Sequence, residues 1–304
     1  MIKQLSLWGS MINSWLSTVT MPENPYTEQF ASLQDFPICE ETKSNFIICS
    51  TPRCGSHLLG HLLHQTGVMG FPLEYFNPPE FDLWKKRFGT HGIIDTLKEI
   101  KRHRTSLNGY FGCKLHYSHY EFLVKDYDFY ELFPDAKFIH LKRRDILAQA
   151  ISYVKAVTSG QWISATPQVK EPVFSTRYIN NAMQKVARWN ACWDCVFSRR
   201  DLPYITIYYE DLIEDSGMIV NRISSFLDIE FDRVNSLKVF IPHRQYDKVN
   251  DEWRQRYLED VKKSGWHDDS RILSVSTAER MNTALKESII SSLVSIRKAW
   301  FRMS

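Results

Sequence analysis

The sequence has no apolar run long enough to cross a membrane and no strong excess of charge of either sign. Its 304 residues include 38 Lys and Arg against 35 Asp and Glu, which gives a formal net charge of +3. Such a balance does not call for nucleic acid as a partner, because nucleic-acid-binding chains are usually strongly basic. The basic residues instead form local clusters, Lys101–Arg104 and Lys142–Arg144, which suit a small anionic ligand. We therefore expect a cytoplasmic protein with no membrane span and no nucleic-acid partner.

Paired cysteine spacings are also missing. The six cysteines include one C-x-x-C, from Cys192 to Cys195, and it lies inside a helical pattern. Zinc sites need a second pair, and redox motifs of this kind open a helix after a strand. The sequence therefore predicts no metal site, and nothing in it requires an oxidising compartment.

Apolar segments of two lengths alternate along the chain and predict one α/β domain. Strands are predicted at Phe46–Ser50, Tyr110–His116, Lys137–Leu141 and Tyr204–Tyr208, and helices at Ser56–Thr66, Ile93–Arg102, Ile146–Val157, Asn181–Arg199 and Met218–Leu227. This alternation is typical of a parallel sheet with helices on both faces, which binds ligands at the carboxyl ends of its strands. We expect an N-terminal arm over residues 1–44, a domain over residues 45–304, and irregular segments at Tyr75–Phe88 and Gln161–Ser175.

The most informative local pattern is the segment Phe46–Gly60. A short apolar strand leads into a small-residue loop, and leucines at helical spacing follow from Ser56. The free N–H groups and the dipole at the start of such a helix form an anion site. A nucleoside-triphosphatase loop would place a lysine after its last glycine, whereas here the cation is Arg53, before Gly55. An ordinary strand-turn-helix with a solvated Arg53 is the alternative interpretation.

A second cationic strand end follows Phe138. Arg144 ends this segment, Asp145 is expected to cap the next helix, and Ser152 lies eight residues after Arg144. That spacing is a little over two helical turns, so a guanidinium and a hydroxyl can face the same side. We expect this pair to bind a second phosphate; a solvated basic strand end is the alternative.

Taken in order, these motifs make the chain similar to the sulfotransferases that use 3′-phosphoadenosine 5′-phosphosulfate, and most of all to the bacterial trehalose 2-sulfotransferase family. The resemblance runs from about Phe46 to about Tyr257. It is carried by Pro-Arg-Cys-Gly-Ser-His-Leu-Leu at the loop, Gly70-Phe-Pro-Leu-Glu-Tyr-Phe76, Gly112-Cys-Lys-Leu115, Arg144-Asp…Ala-Ile-Ser152…Trp162 and Arg244-Gln245…Asp251-Glu-Trp253. It implies the sulfotransferase fold, which is a P-loop-like parallel sheet, and metal-independent transfer of a sulfuryl group; it also suggests a homodimer.

The resemblance also implies which residues hold the donor. The 5′-phosphosulfate would be bound by the loop residues Arg53, Cys54, Gly55, Ser56, His57 and Leu58, the 3′-phosphate by Arg144 and Ser152, and donor or acceptor by Arg244. The chain departs from the usual Ser-Gly-Ser-Thr loop at Cys54 and His57, so two hydroxyls are missing. His57 either replaces a lost contact or is a helix-surface residue. A non-catalytic nucleotide- or glycan-binding relative and a P-loop phosphotransferase therefore stay open as alternatives.

Four residues are the catalytic candidates. Arg53 and Lys114 would stabilise the charge that develops during in-line transfer. The resemblance gives the role of general base to Glu74, whose pKa we expect its aromatic neighbours Phe71, Tyr75 and Phe76 to raise. His116 is the rival base, because Lys114-Leu-His116 resembles the Lys-Thr-His of cytosolic aryl and steroid sulfotransferases.

Aromatic residues crowd the predicted mouth of the site. Aromatic faces with polar tips suit sugars, so we expect the acceptor to be a carbohydrate or glycolipid hydroxyl. Plain hydrophobic core is the competing explanation for about half of them. The residues are Tyr75, Phe76, Phe81, Trp84, Tyr117, Tyr120 and Trp162.

Overall fold

The strands form one parallel sheet, as predicted. A computed structural model describes residues 29–162, 168–230 and 248–264. The strands are β1 (Ser44–Ser50), β2 (Tyr110–His116), β3 (Lys137–Lys142) and β4 (Tyr204–Tyr208). Their order in the sheet is β2-β1-β3-β4, and each neighbouring pair is parallel. The register pairs Ser50 with His116, so these two residues end their strands side by side.

Helices cover this sheet. Within the described residues they are α1 (Ser56–Gln65), α2 (Pro78–Phe88), α3 (Ile93–Arg104), α4 (Tyr117–Leu123), α5 (Phe129–Leu132), α6 (Ile146–Ser159), α7 (Thr176–Arg200), α8 (Tyr209–Glu214), α9 (Ser216–Leu227) and α10 (Lys248–Lys263). None of the helices that the structure describes is long and apolar enough to span a bilayer.

The prediction of an irregular segment over Tyr75–Phe88 is wrong for most of its length, because α2 occupies all but its first three residues. Pro78 and Pro79 stand in the first turn of this helix, where a proline loses no hydrogen bond and its fixed φ suits the helix. Gly89 ends the helix at φ 65°. The prolines that suggested a loop therefore mark the start of a helix.

The core lies on both faces of the sheet. Alternate residues of β1 point to opposite faces, with Ile47 and Cys49 on one side and Phe46 and Ile48 on the other. The first face is rich in aromatic side chains and the second is mainly aliphatic. Because β1 is buried on both faces, its carboxyl end and the loop that follows are held in place from both sides.

Residues 29–36 pack against the domain around Arg104. This side chain is fully buried, its Nε lies 3.0 Å from Asp35 Oδ1, and its guanidinium faces the rings of Phe71 and Trp84 at 5.1 and 5.0 Å. It also donates hydrogen bonds to the carbonyls of Gln29, Ala31 and Gln34.

Contacts along the chain group residues 1–254 into one compact unit and residues 255–304 into another. The described part of the second unit, residues 255–264, continues α10 to Lys263. The boundary predicted at residues 44 and 45 stays a prediction.

Candidate active site

The loop between β1 and α1 has the backbone shape of an anion site. Arg53 and Gly55 both have positive φ, 66° and 88°. Only glycine adopts such a φ without strain, and a Cβ at Gly55 would also collide with the ring of Tyr209. Gly55 caps α1 without a side-chain hydrogen bond, so the first N–H groups of the helix keep their capacity to bind an anion.

The side chains of the loop divide between the core and the site. Cys54 is buried among aliphatic residues, and burial raises the pKa of its thiol. Leu58 packs against the same cluster. Ser56 is buried at the first position of α1. Cys54 and Leu58 can therefore offer an anion only their backbone groups.

The partly buried guanidinium of Arg53 hydrogen-bonds to two neutral groups. Its Nε donates to Ser152 Oγ at 2.9 Å, and its Nη1 donates to the carbonyl of Trp162. Burial, and next the charge of Arg143, lower the pKa of Arg53 to about 10. No carboxylate of the described residues hydrogen-bonds to this guanidinium, which leaves a partly buried cation able to bind an anionic ligand.

Glu74 lies at the centre of a polar cluster beside this loop. Lys114 N donates to the carbonyl of Leu73 at 2.9 Å, which fixes residue 74 next to the end of β2. Glu74 Oε1 lies 2.9 Å from Lys114 Nζ and 2.9 Å from His116 Nε2. His116 Nδ1 in turn lies 3.0 Å from Ser50 Oγ. The structure thus brings three of the four catalytic candidates into direct contact.

His57 joins the same cluster from α1. Its Nδ1 lies 3.4 Å from Lys114 Nζ, and its ring lies 4.8 Å from that of His61. Burial, and next the charge of Lys114, keep the pKa of His57 well below its ordinary value. Of the two roles considered for His57, the structure favours a contact within the site over a place on the helix surface.

The expectation that the pKa of Glu74 is raised is wrong. Burial does act to raise the pKa of this carboxyl, but the charges of His116 and Lys114 outweigh it and hold the pKa well below its ordinary value. The aromatic residues expected to flank it, Phe71 and Tyr75, are buried in the core. Glu74 is therefore ionised at neutral pH and able to accept a hydrogen bond from a hydroxyl group.

Glu80, in the first turn of α2, is a site residue that the sequence analysis missed. Burial, and next repulsion by Glu74, raise the pKa of its carboxyl to about 7, although Lys114 and a hydrogen bond with Asn77 act in the opposite direction. The residue was missed because α2 itself was not predicted. Pro78 was the available signal, because proline is common at the first position of a helix and would have placed Glu80 in the first turn.

Within the described residues, Arg144 and Ser152 make no hydrogen bond to each other, and each has a different partner. Arg144 makes a bidentate ion pair with Asp211, in which Nη1 donates to Oδ1 at 2.6 Å and Nη2 donates to Oδ2 at 2.8 Å. Its guanidinium also lies 4.2 Å from the ring centre of Tyr208. Ser152 accepts from Arg53 instead. Asp145 caps α6 as predicted, with Oδ1 accepting from Ala148 N at 2.9 Å. The assignment of a phosphate to Arg144 and Ser152 stays a prediction, and Arg244 lies outside the described residues.

Most of the aromatic residues expected at the mouth belong to the core. Tyr75, Phe76 and Trp84 are buried, and Phe81, Tyr117 and Tyr120 are partly buried against the same cluster. Trp162 is the exception, because it is 46% exposed while its carbonyl accepts from Arg53. The core explanation therefore accounts for more of these residues than expected.

The chain is similar to several sulfotransferases. The chain is similar to trehalose 2-sulfotransferase of Mycolicibacterium smegmatis, with 23% identity over 260 residues that cover 72% of this chain and 96% of that protein. Among solved structures, a sulfotransferase domain from the Synechococcus PCC 7002 olefin synthase has a TM-score of 0.41 and 15% identity, covering 74% of this chain and 96% of that one. A sulfotransferase from Alicyclobacillus acidocaldarius has a TM-score of 0.38 and 17% identity, covering 78% and 99%.

The characteristic pattern of the Stf0 sulphotransferases matches residues 45–260, which include the sheet, the anion loop and the Glu74 cluster. The chain therefore belongs to the Stf0 sulphotransferase family.

Proposed function

We propose that this sulfotransferase moves the sulfuryl group of 3′-phosphoadenosine 5′-phosphosulfate to a hydroxyl of a carbohydrate or glycolipid, with Glu74 as the general base. The observation that carries the proposal is the contact of Glu74 Oε1 with Lys114 Nζ and His116 Nε2, each at 2.9 Å, beside an anion loop. The name of the Mycolicibacterium smegmatis relative supports a carbohydrate acceptor.

The residues at the loop fit a doubly charged adenylate. The donor supplies an activated sulfuryl group on a phosphate leaving group. Arg53, the N–H groups at the start of α1 and the hydroxyl of Ser152 would hold its anionic groups, because these donors converge and no carboxylate among the described residues hydrogen-bonds to Arg53. Arg144 would take part after leaving Asp211. The transfer is proposed to need no metal, because arginine, lysine and backbone donors can neutralise the charge.

Lys114 and Glu74 would serve the transfer itself. Glu74 accepts the proton of the acceptor hydroxyl while the hydroxyl oxygen bonds to sulfur and the bond from sulfur to the phosphate oxygen breaks. Lys114, a cation 2% exposed, would stabilise the negative charge on the oxygens of the group in transfer. Movement of Lys114 toward that charge would weaken its hold on Glu74 and raise the pKa of the base at the moment it is needed.

Glu74 and His116 are expected to act as a pair, with Glu74 as the base. His116 donates to Glu74 and is itself held by Ser50, so it orients the carboxylate. We expect Glu74→Gln to lower turnover by about 10²- to 10⁴-fold, the usual range for loss of a general base. His116→Ala should lower it less. The check is single-turnover kinetics with both variants; unchanged turnover in Glu74→Gln together with its loss in His116→Ala would make His116 the base.

The function is tested by transfer of labelled sulfonate from the proposed donor to a panel of sugars and glycolipids that includes trehalose. Calorimetry should show preference for adenosine 3′,5′-bisphosphate over ADP. Equal affinity for the two, with phosphoryl transfer from ATP that a chelator abolishes, would favour a P-loop phosphotransferase. Tight binding of the bisphosphate with no turnover on any acceptor would favour a non-catalytic relative. Sedimentation of the same sample tests the proposed homodimer.

A further inference from the structure

Arg143, the neighbour of the predicted phosphate-binding arginine, turns into the molecule. Its side chain is 11% exposed, and its guanidinium lies 4.8 Å from the ring centre of Tyr209. Its Nε is buried and has no hydrogen-bond partner among the described residues. The nearest carboxylate oxygen, Glu210 Oε1, lies 4.0 Å from this Nε, beyond hydrogen-bond distance. Arg144, by contrast, has its guanidinium fully engaged by Asp211.

Tyr209 connects Arg143 to the anion loop. The ring of Tyr209 lies against Gly55 on one side, where it leaves no room for a Cβ, and carries the guanidinium of Arg143 on its face. The charge of Arg143 is also the second cause, after burial, of the lowered pKa of Arg53. Two guanidinium groups with the same charge therefore share one mostly buried environment.

Among the described residues, the neighbouring carboxylates act on this pair by charge without hydrogen-bonding to it. Glu210 Oε1 lies 4.0 Å from Arg143 Nε, and the charges of Asp145 and Glu74 also act on Arg143 and Arg53 respectively. Glu210 is engaged by the backbone, since Arg144 N donates to its Oε2 at 3.1 Å and Asp145 N donates to its Oε1 at 3.3 Å. Arg53 makes its hydrogen bonds to neutral oxygens. Two partly buried cations that repel each other are stabilised by a ligand with more than one negative charge.

We propose that Arg143 is a binding residue for the phosphate groups of the donor and acts with Arg53 across the ring of Tyr209. Before the donor binds, Arg144 holds the end of β3 to α8 through Asp211. The inference rests on the proposed donor and adds to it a cation that the sequence pattern did not single out.

The test is calorimetry of the full chain with adenosine 3′,5′-bisphosphate, using the wild type, Arg143→Gln, Arg143→Lys and the control Arg188→Gln, which removes an exposed arginine of α7. We expect Arg143→Gln to weaken binding by about 10- to 100-fold, the range for loss of a hydrogen bond to a charged group. Arg143→Lys should lose less affinity than Arg143→Gln, because it keeps the charge, and Arg188→Gln should bind the bisphosphate as tightly as the wild type does.

Thermal unfolding of the same proteins without ligand separates binding from folding. Arg143→Gln should melt at the wild-type temperature or above it, because one of two repelling cations is gone. Equal affinity of Arg143→Gln and the wild type, or a loss of affinity that accompanies a lower melting temperature, would overturn the inference. Failure of the wild type to bind the bisphosphate in preference to ADP would instead refute the proposed donor.

Discussion

Arg104 is fully buried and Arg53 is partly buried, and the surroundings of the two guanidinium groups also differ in charge. Arg104 meets Asp35 and backbone carbonyls, and the rings of Phe71 and Trp84 face its guanidinium. Arg53 meets a hydroxyl and one carbonyl, and burial and the charge of Arg143 lower its pKa to about 10. Among the described residues, a carboxylate thus lies in contact with Arg104, whereas none hydrogen-bonds to Arg53.

This difference separates a structural cation from one kept for a ligand. Removing the charge of Arg104 leaves several carbonyls without their donor and takes from Asp35 one of its cations, while Arg87 remains paired with that carboxylate; both losses cost stability. Removing the charge of Arg53 leaves no buried anion behind. Burial alone therefore does not identify a functional arginine; the missing counter-charge does.

The largest effect is expected from Arg104→Met. Loss of a buried partner of this kind costs about 3 to 5 kcal/mol of unfolding free energy, and here it should also release residues 29–36 from the domain. Urea unfolding followed by circular dichroism measures the change. The matched control is Arg102→Met on the same helix, whose partly exposed ion pairs with Glu40 and Glu99 should matter little. Equal losses in both variants would remove the distinction drawn for Arg104.

Arg53→Gln should lower activity and leave stability unchanged, whereas Arg104→Met should lower stability. We expect kcat/KM for sulfuryl transfer to fall by about 10²- to 10³-fold, as for loss of one donor to developing charge, with no loss of unfolding free energy. Steady-state kinetics and urea unfolding on the same preparation measure both quantities. An Arg53→Gln protein destabilised as much as Arg104→Met would mean that both arginines are structural.

Glu80→Gln extends the comparison from buried cations to a carboxyl group, because Glu80 also lies beside a group of like charge, Glu74. Because the folded protein holds the pKa of Glu80 near 7, above the ordinary value of 4.5, it binds this proton more tightly than the unfolded chain does. Stability is therefore lost as pH rises from about 4.5 to about 7. Glu80→Gln should be more stable than the wild type by about 1 to 2 kcal/mol at pH 8 and equal to it at pH 4.5 or below.

The control for this smaller effect is Glu121→Gln, which changes an exposed carboxylate of α4. Unfolding free energies of the three proteins are compared at pH 4.5 and pH 8. A difference between Glu80→Gln and the wild type that is independent of pH would show that Glu80 titrates normally.

Local sequence was enough to predict the sheet. The bounds of β2 and β4, Tyr110–His116 and Tyr204–Tyr208, agree with the prediction, because each strand is a short apolar run with helical segments on either side. The anion loop was predictable for the same reason, since Gly55 and the leucines after Ser56 form one continuous segment. Membership of the sulfotransferase family followed from motifs within such segments and their order.

Tertiary structure decided the charges in the site. The pKa of Glu74 depends on Lys114 and His116, which β2 brings to it from a distant part of the chain, so its aromatic sequence neighbours gave the wrong direction. Helical spacing cannot tell which of two adjacent arginines turns inward; Tyr209 and Asp211, just after β4, make that choice. Strand and helix patterns reflect neighbours along the chain, whereas a pKa or an ion pair reflects neighbours in space.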